Sequence, residues 1–214
     1  MPNCDARHKQ LRDEFTSRYS QMDNVCSSYV YVNVEIVETC IRNLKRGKAA
    51  GLDGLTAEHI IYSHPIVAVL QTLLFNIMLI HGVVPDAFGI GIVIPLLKNV
   101  DGNKTSTDNY RGITLSPVIG KIFESVMLQL FSSHLESDSL QYGFKQNSSC
   151  SHAIFTLHTV LDHYVKSGST VTICALDISK AFDRVDHFAL LKVLIDKELP
   201  KTFASVSYGP RCLK

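Results

Sequence analysis

The sequence predicts an α+β fold, helix-rich with a hairpin and a partial antiparallel sheet. Three observations carry this: several apolar runs at helical spacing, two β-branched runs set apart by 12 polar residues, and a third apolar run ending in an acid. At 214 residues with 46% apolar and 19% charged content, the chain is long enough for one sizeable core or a core with an appendage. Lys plus Arg exceed Asp plus Glu by one. That excludes the strong general field of a self-sufficient nucleic-acid binder, so an anionic partner has to be met locally.

Residues 1–34 mix charge, Ser and Tyr without sustained periodicity and read as a poorly defined, loosely attached leader; its start, "MPNCDARHKQLRDEF", is too charged for a secretory signal. In "NVEIVETCIRNLKRG" (33–47), Ile36, Val37, Cys40, Ile41 and Leu44 fall on one helical face, and Gly47 can end the helix. "KAAGLDGLTAEHI" (48–60) turns at two glycines around Asp53. Pro65 then opens "IVAVLQTLLFNIMLI" (66–80), which is too short for a membrane span of about 20 residues and reads as a helix buried on most sides, closed by Gly82. "IGIVIPLLK" (90–98) has the continuous β-branched character of a core strand, and with "RGITL" (111–115) it makes a long hairpin.

Ser116 and Pro117 open a helix whose Ile119, Ile122, Phe123, Val126, Met127 and Leu130 keep period 3.6. A further periodic helix runs to about Lys166 and ends at Gly168; "TVTICALD" (170–177) follows as a strand, then a short helix near 188–197. Six widely scattered cysteines (4, 26, 40, 150, 174, 212) show no zinc spacing and read as reduced, mostly buried thiols; Cys150 and His152 lack the second pair a metal site needs. With no signal and no span, a cytoplasmic or nuclear protein is the expectation.

Asp177, at the mouth of an apolar run, admits two readings: a turn cap, or a functional carboxylate. Its company favours the second. "RGKAAGLDGLTAEHI", "IPLLK…DNYRGITLSPVIGKIFE", "QYGFKQNSS" and "ALDISKAFDRVDH" occur in an order that resembles the reverse transcriptase domain of non-LTR (LINE-like) retrotransposons, over roughly residues 35–200. Within it, the "YRGITL…GKIFE" and "DISKAFDRVDH" segments are the specific ones.

The resemblance implies the fingers and an incomplete palm of a right-hand polymerase over 35–200, with 201–214 an unassigned tail. It implies an RNA template, a DNA primer, deoxynucleoside triphosphates and two Mg²⁺ ions stabilising the attacking and leaving oxygens. Asp177 takes the place of a catalytic carboxylate bridging both ions, and the carbonyl of Ile178 that of a second metal ligand. Phe182 matches a steric gate against the 2′-hydroxyl, with core packing as the competing role. Lys98 and Arg111, on the two arms of the hairpin, match cations for the triphosphate, with simple solvation as the alternative. Gln141, Gly143 and Phe144 match the segment along the template.

Asp183 and Asp186 read as turn and cap residues, and the run Arg42, Lys45, Arg46, Lys48 as either a phosphate contact or a solvated helix end. Relatives continue to a pair of adjacent aspartates and a thumb that this sequence does not contain. The expectation is an incomplete polymerase, inactive alone. Two alternatives are a noncatalytic nucleic-acid-binding module and the remnant of a decayed element.

Overall fold

A computed structural model describes residues 2–22, 30–135, 137–145, 147–178, 181 and 184–208. The chain divides into two compact units, one formed by 1–134 with 188–214 and the other by 135–187.

The first unit is a helical assembly with one hairpin. It holds α1 (Pro2–Gln21), α2 (Val34–Arg42), α3 (Ala57–Ile61), α4 (Ile66–His81), β1 (Ile92–Leu97), β2 (Tyr110–Leu115) and α5 (Val118–Leu130). Asn33 starts α2 by accepting the Ile36 amide at 2.8 Å, a cap worth about 1 kcal/mol. The periodic face of α2 (Val37, Cys40, Ile41) is buried against α4 and α5, whose Phe75 and Phe123 rings stand 5.1 Å apart. Ile122 and Val126 of α5 are fully buried, as their spacing predicts.

α4 departs from its expectation. Gln71, Thr72 and Asn76 are buried, whereas Ile66, Leu70, Leu73, Ile77 and Ile80 are exposed along one stripe. The polar side chains face inward partly because Asn76 clamps the backbone of Val32, accepting its N–H and donating to its carbonyl, both at 2.9 Å. Thr72 donates to the Ala68 carbonyl, while the Gln71 amide has no hydrogen-bond partner among the described residues. The sequence hid this orientation because the three polar residues of an otherwise apolar stretch share the buried face, where polarity alone would turn them to solvent.

The segment read as an aperiodic leader contains α1. Phe15 is fully buried against Phe188 and Leu191, with Leu11, Tyr19, Leu194 and Ile195 packed around them. These partners lie in α7 (His187–Asp196), so α1 is fixed by a contact some 170 residues away in sequence rather than by its own pattern. Arg18 pairs with Asp196, and Lys192 with Glu14 at 2.6 Å. The residues assigned to a tail begin with α8 (Lys201–Tyr208), which packs on α4 and also sets Phe203 against the ring of Phe131, the residue that ends α5, at 5.0 Å. Gly82 ends α4 at φ +62°, and a Cβ there would come within 2.8 Å of Ser205 Cβ, so both conformation and space require glycine.

β1 and β2 form an antiparallel pair running from Ile92↔Leu115 to Leu97↔Tyr110. Both strands are largely exposed, contrary to the core-strand reading of 90–98, because no layer covers either face among the described residues.

The second unit contains α6 (Cys150–Lys166), ended by Gly168 at φ +79°. The helix is where its periodicity puts it, yet none of its residues is buried. The strand expected over 170–177 is not formed: residues 169–178 carry no regular secondary structure, and no neighbouring strand among the described residues pairs with them. A strand needs a ladder partner for its N–H and C=O groups, which a β-branched run cannot supply to itself. Cys40 is buried, which pushes its thiol above the usual range, but Cys150 and Cys174 are exposed, so burial of the thiols holds only in part. Among the described residues no helix is long and apolar enough to cross a membrane.

Candidate nucleotide site

The hairpin supplies the cations. Its register sets Leu96 opposite Arg111, and the Lys98 amide donates to the Asn109 carbonyl at 2.8 Å, extending the ladder one step. Side chains alternate along a strand, so Lys98 shares a face with Leu96 and therefore with Arg111, as diagonal neighbours. The two differ in freedom. Lys98 Nζ donates to the Asp108 carbonyl at 2.7 Å, within the turn, whereas Arg111 is exposed with no partner among the described residues.

The turn itself is built for rigidity: Asn109 bridges Asn99 in both directions, donating to its carbonyl at 2.9 Å and accepting its amide at 3.1 Å. Tyr110 Oη reaches the Lys104 carbonyl at 2.9 Å. A Cβ on Gly91 would come within 2.5 Å of Thr114 Cγ2, so the entry to β1 needs a glycine.

In the second unit, Asp138 organises the segment before α6: its side chain accepts the Leu140 amide and its carbonyl accepts the Gln141 amide. Gln141 Nε2 then donates to the Gly143 carbonyl at 2.9 Å, and Tyr142 Oη to Thr156 Oγ1 at 3.0 Å. Phe144 follows at φ +58°, a left-handed conformation that is costly for an aromatic residue, with its ring 95% exposed. A Cβ on Gly143 would meet nothing within 4 Å among the described residues.

Asp177 and Ile178 are both exposed, so the carboxylate is not sealed inside the protein. Phe182 and Asp183 lie outside the described residues. Asp177 and the hairpin belong to different units, each described by itself. Among the described residues no three His, Cys, Asp or Glu side chains gather as a metal centre would require.

One residue escaped the sequence reading. Lys121, on α5, lines a cavity with Lys45 and Lys48 from the end of α2 and the loop after it. More than 70 positions separate it from them, and a single lysine on the polar side of an amphipathic helix gives no signal of its own.

A family model described as "Reverse transcriptase (RNA-dependent DNA polymerase)" matches residues 102–210, just over half of the chain. The chain is 29% identical over 189 residues, 87% of its length, to the "Putative 115 kDa protein in type-1 retrotransposable element R1DM" of Drosophila melanogaster. It is 28% identical over 164 residues (75% of its length) to the "RNA-directed DNA polymerase from mobile element jockey" of Drosophila funebris. With the "Probable RNA-directed DNA polymerase from transposon X-element" of Drosophila melanogaster it shares 28% over 177 residues (79%). The matches cover 18%, 18% and 19% of these relatives, so the chain spans less than a fifth of their length.

Proposed function

The chain belongs to the reverse transcriptase (RNA-dependent DNA polymerase) family, and we propose that it is the nucleotide-facing part of an RNA-directed DNA polymerase from a non-LTR retrotransposon, unable to make DNA by itself. The reach of the family match carries this reading: residues 102–210 take in Arg111, the 141–144 segment and Asp177 together.

In the reaction such a polymerase performs, a primer 3′-hydroxyl attacks the α-phosphorus of a deoxynucleoside triphosphate opposite a template base, and pyrophosphate leaves. Arg111 and Lys98 bind the triphosphate, Arg111 as a two-pronged donor and Lys98 as a point charge. Phe182 excludes a 2′-hydroxyl. Gln141, Gly143 and Phe144 lie along the template, where the exposed Phe144 ring offers a stacking face.

Reverse transcriptases as a family use Mg²⁺, which takes six oxygen ligands in an octahedron. Asp177 and the Ile178 carbonyl are the part of that centre carried here. One carboxylate and one carbonyl are too few ligands for a pair of ions, and among the described residues no group of three or more His, Cys, Asp or Glu side chains gathers to complete them. No catalytic step is therefore assigned to this chain alone.

Primer extension tests the reading. The purified chain with Mg²⁺, template–primer and deoxynucleotides is expected to give no product, and Asp177-dependent synthesis would overturn the proposed incompleteness. A chimera continuing into a relative's downstream aspartate segment is expected to extend the primer, and to lose that activity on Asp177→Asn. In a nucleotide titration, Arg111→Ala should weaken triphosphate binding by about tenfold or more, in line with a lost charged hydrogen bond. Lys98→Ala should cost less, since its ammonium is already shared with Asp108.

A further inference from the structure

We propose that the cavity between the end of α2, the glycine turn and the start of α5 is a preformed pocket for a backbone phosphate of single-stranded nucleic acid. The cavity has a volume of about 260 Å³, and its polar lining comes from Asn43, Lys45, Lys48, Thr56, Ser116 and Lys121. Three lysines and no acidic residue are among its lining. None of the three lysines forms an ion pair among the described residues. The acids of this corner are engaged elsewhere: Glu38 with Arg42, Glu58 with the Gly47 amide, and Asp53 with the Leu55 amide. None of these acids forms an ion pair with the three lysines, although the chain as a whole carries only +1.

Neutral donors add to the cations. Ser116 and Val118 in the lining stand at the start of the 13-residue helix α5, whose first amides have no partners within the helix. The wall is fixed by a close backbone approach: a Cβ on Gly51 would fall 3.0 Å from Pro117 N and 3.1 Å from Pro117 Cα, so only glycine lets the turn lie against the α5 entry.

The corner also favours a strand over a free ion. Tyr62, at the end of α3, is 70% exposed, and the Arg46 guanidinium stands 5.5 Å from its ring centroid. Arg46 adjoins Lys45 in sequence, while Thr56 and Ala57 at the start of the short α3 line the cavity. A cationic pocket with a guanidinium-capped aromatic beside it is the pairing that grips a phosphate and stacks the attached base. The inference draws on the polymerase reading only in taking the phosphate to belong to a polynucleotide.

The test is fluorescence anisotropy of a labelled oligouridylate against the 214-residue chain across a salt series. Lys45→Met, Lys48→Met and Lys121→Met combined should weaken binding on the order of tenfold. The log–log salt slope should fall by about 0.7, for one phosphate no longer neutralised. Lys121→Arg should retain binding, and Lys166→Met, whose ammonium pairs with Asp162 on α6, should not change it. Should the triple variant fail to show the wild-type melting transition, Lys48→Glu alone, at an exposed position, carries the same expectation.

Unchanged affinity and slope in folded variants would overturn the pocket, whatever primer extension shows; lysine-dependent binding without extension would support it. Inorganic phosphate at constant ionic strength separates the two sources. Full displacement of the oligonucleotide by phosphate, together with equal affinity in Tyr62→Ala, would overturn the assignment to a strand; tenfold weaker oligonucleotide binding in Tyr62→Ala would support it.

Discussion

Helices α5 and α6 carry apolar residues at the same period, yet Ile122 and Val126 of α5 are fully buried, while Ile154, Phe155 and Val165 of α6 are 66%, 72% and 60% exposed. The difference lies outside both helices. α5 has α2 to pack against, within a unit that also contains α4. Among the described residues of 135–187, none is buried at all. Periodicity names the face a helix can bury, but burial itself requires a second layer to arrive there. The same holds for the two β-branched runs: 92–97 found a partner in 110–115 and became a strand, whereas 170–177 found none and did not.

The contrast has measurable consequences, and the largest lies in the core. Phe75→Ala should lower unfolding free energy by about 3–5 kcal/mol, whereas Phe155→Ala should stay within roughly 0.5 kcal/mol, in denaturant titrations of each variant. Equal losses would mean that α6 is packed after all. Gln71→Met should act in the opposite direction, raising stability by about 1–3 kcal/mol in the same titration, since the buried amide it removes has no partner among the described residues. Gly82→Ala should cost about 1–2 kcal/mol from the left-handed conformation alone, plus whatever the Ser205 contact demands. Asn33→Ala should cost about 1 kcal/mol through the lost α2 cap. Amide exchange should separate the helices directly: α6 amides are expected to exchange faster than the central amides of α5, which are protected by a packed face.

The smallest effect is a pH dependence. A hydrogen bond from Lys192 holds the Glu14 carboxyl below its ordinary 4.5, so its folded value lies under its unfolded one. Its contribution is therefore present above about 4.5 and is lost as pH falls through the folded value. Lys192→Met should flatten this part of the acid limb of a melting-midpoint profile. The Gly47 amide lowers Glu58 in the same direction, and that share should survive the substitution.

Much of the helical framework was legible residue by residue. Val37, Cys40 and Ile41 on α2, and Ile122, Phe123, Val126 and Met127 on α5, declared their buried face by spacing, and Gly82 and Gly168 declared the helix ends. The hairpin was legible from two β-branched runs flanking a polar turn. α1 was not, because Phe15 stands nearly alone on a polar helix and its reason for being buried, Phe188, is far along the chain. The orientation of α4 was hidden because its few polar residues, Gln71, Thr72 and Asn76, face inward. Of the candidate site, identity and order of the motif residues were readable; the shared face of Lys98 and Arg111 came from the register, and the cavity joining Lys45, Lys48 and Lys121 from packing.

Local chemistry alone determined the buried faces of α2 and α5, the ends of α4 and α6 at Gly82 and Gly168, which runs can become strands, and which family the motif order belongs to, because caps, periods and motif residues act over a few positions. Tertiary structure decided which apolar faces are covered, which β-branched run pairs, and which distant lysines meet. Those outcomes depend on a partner surface supplied from elsewhere in the chain, and no short stretch of sequence contains its own partner.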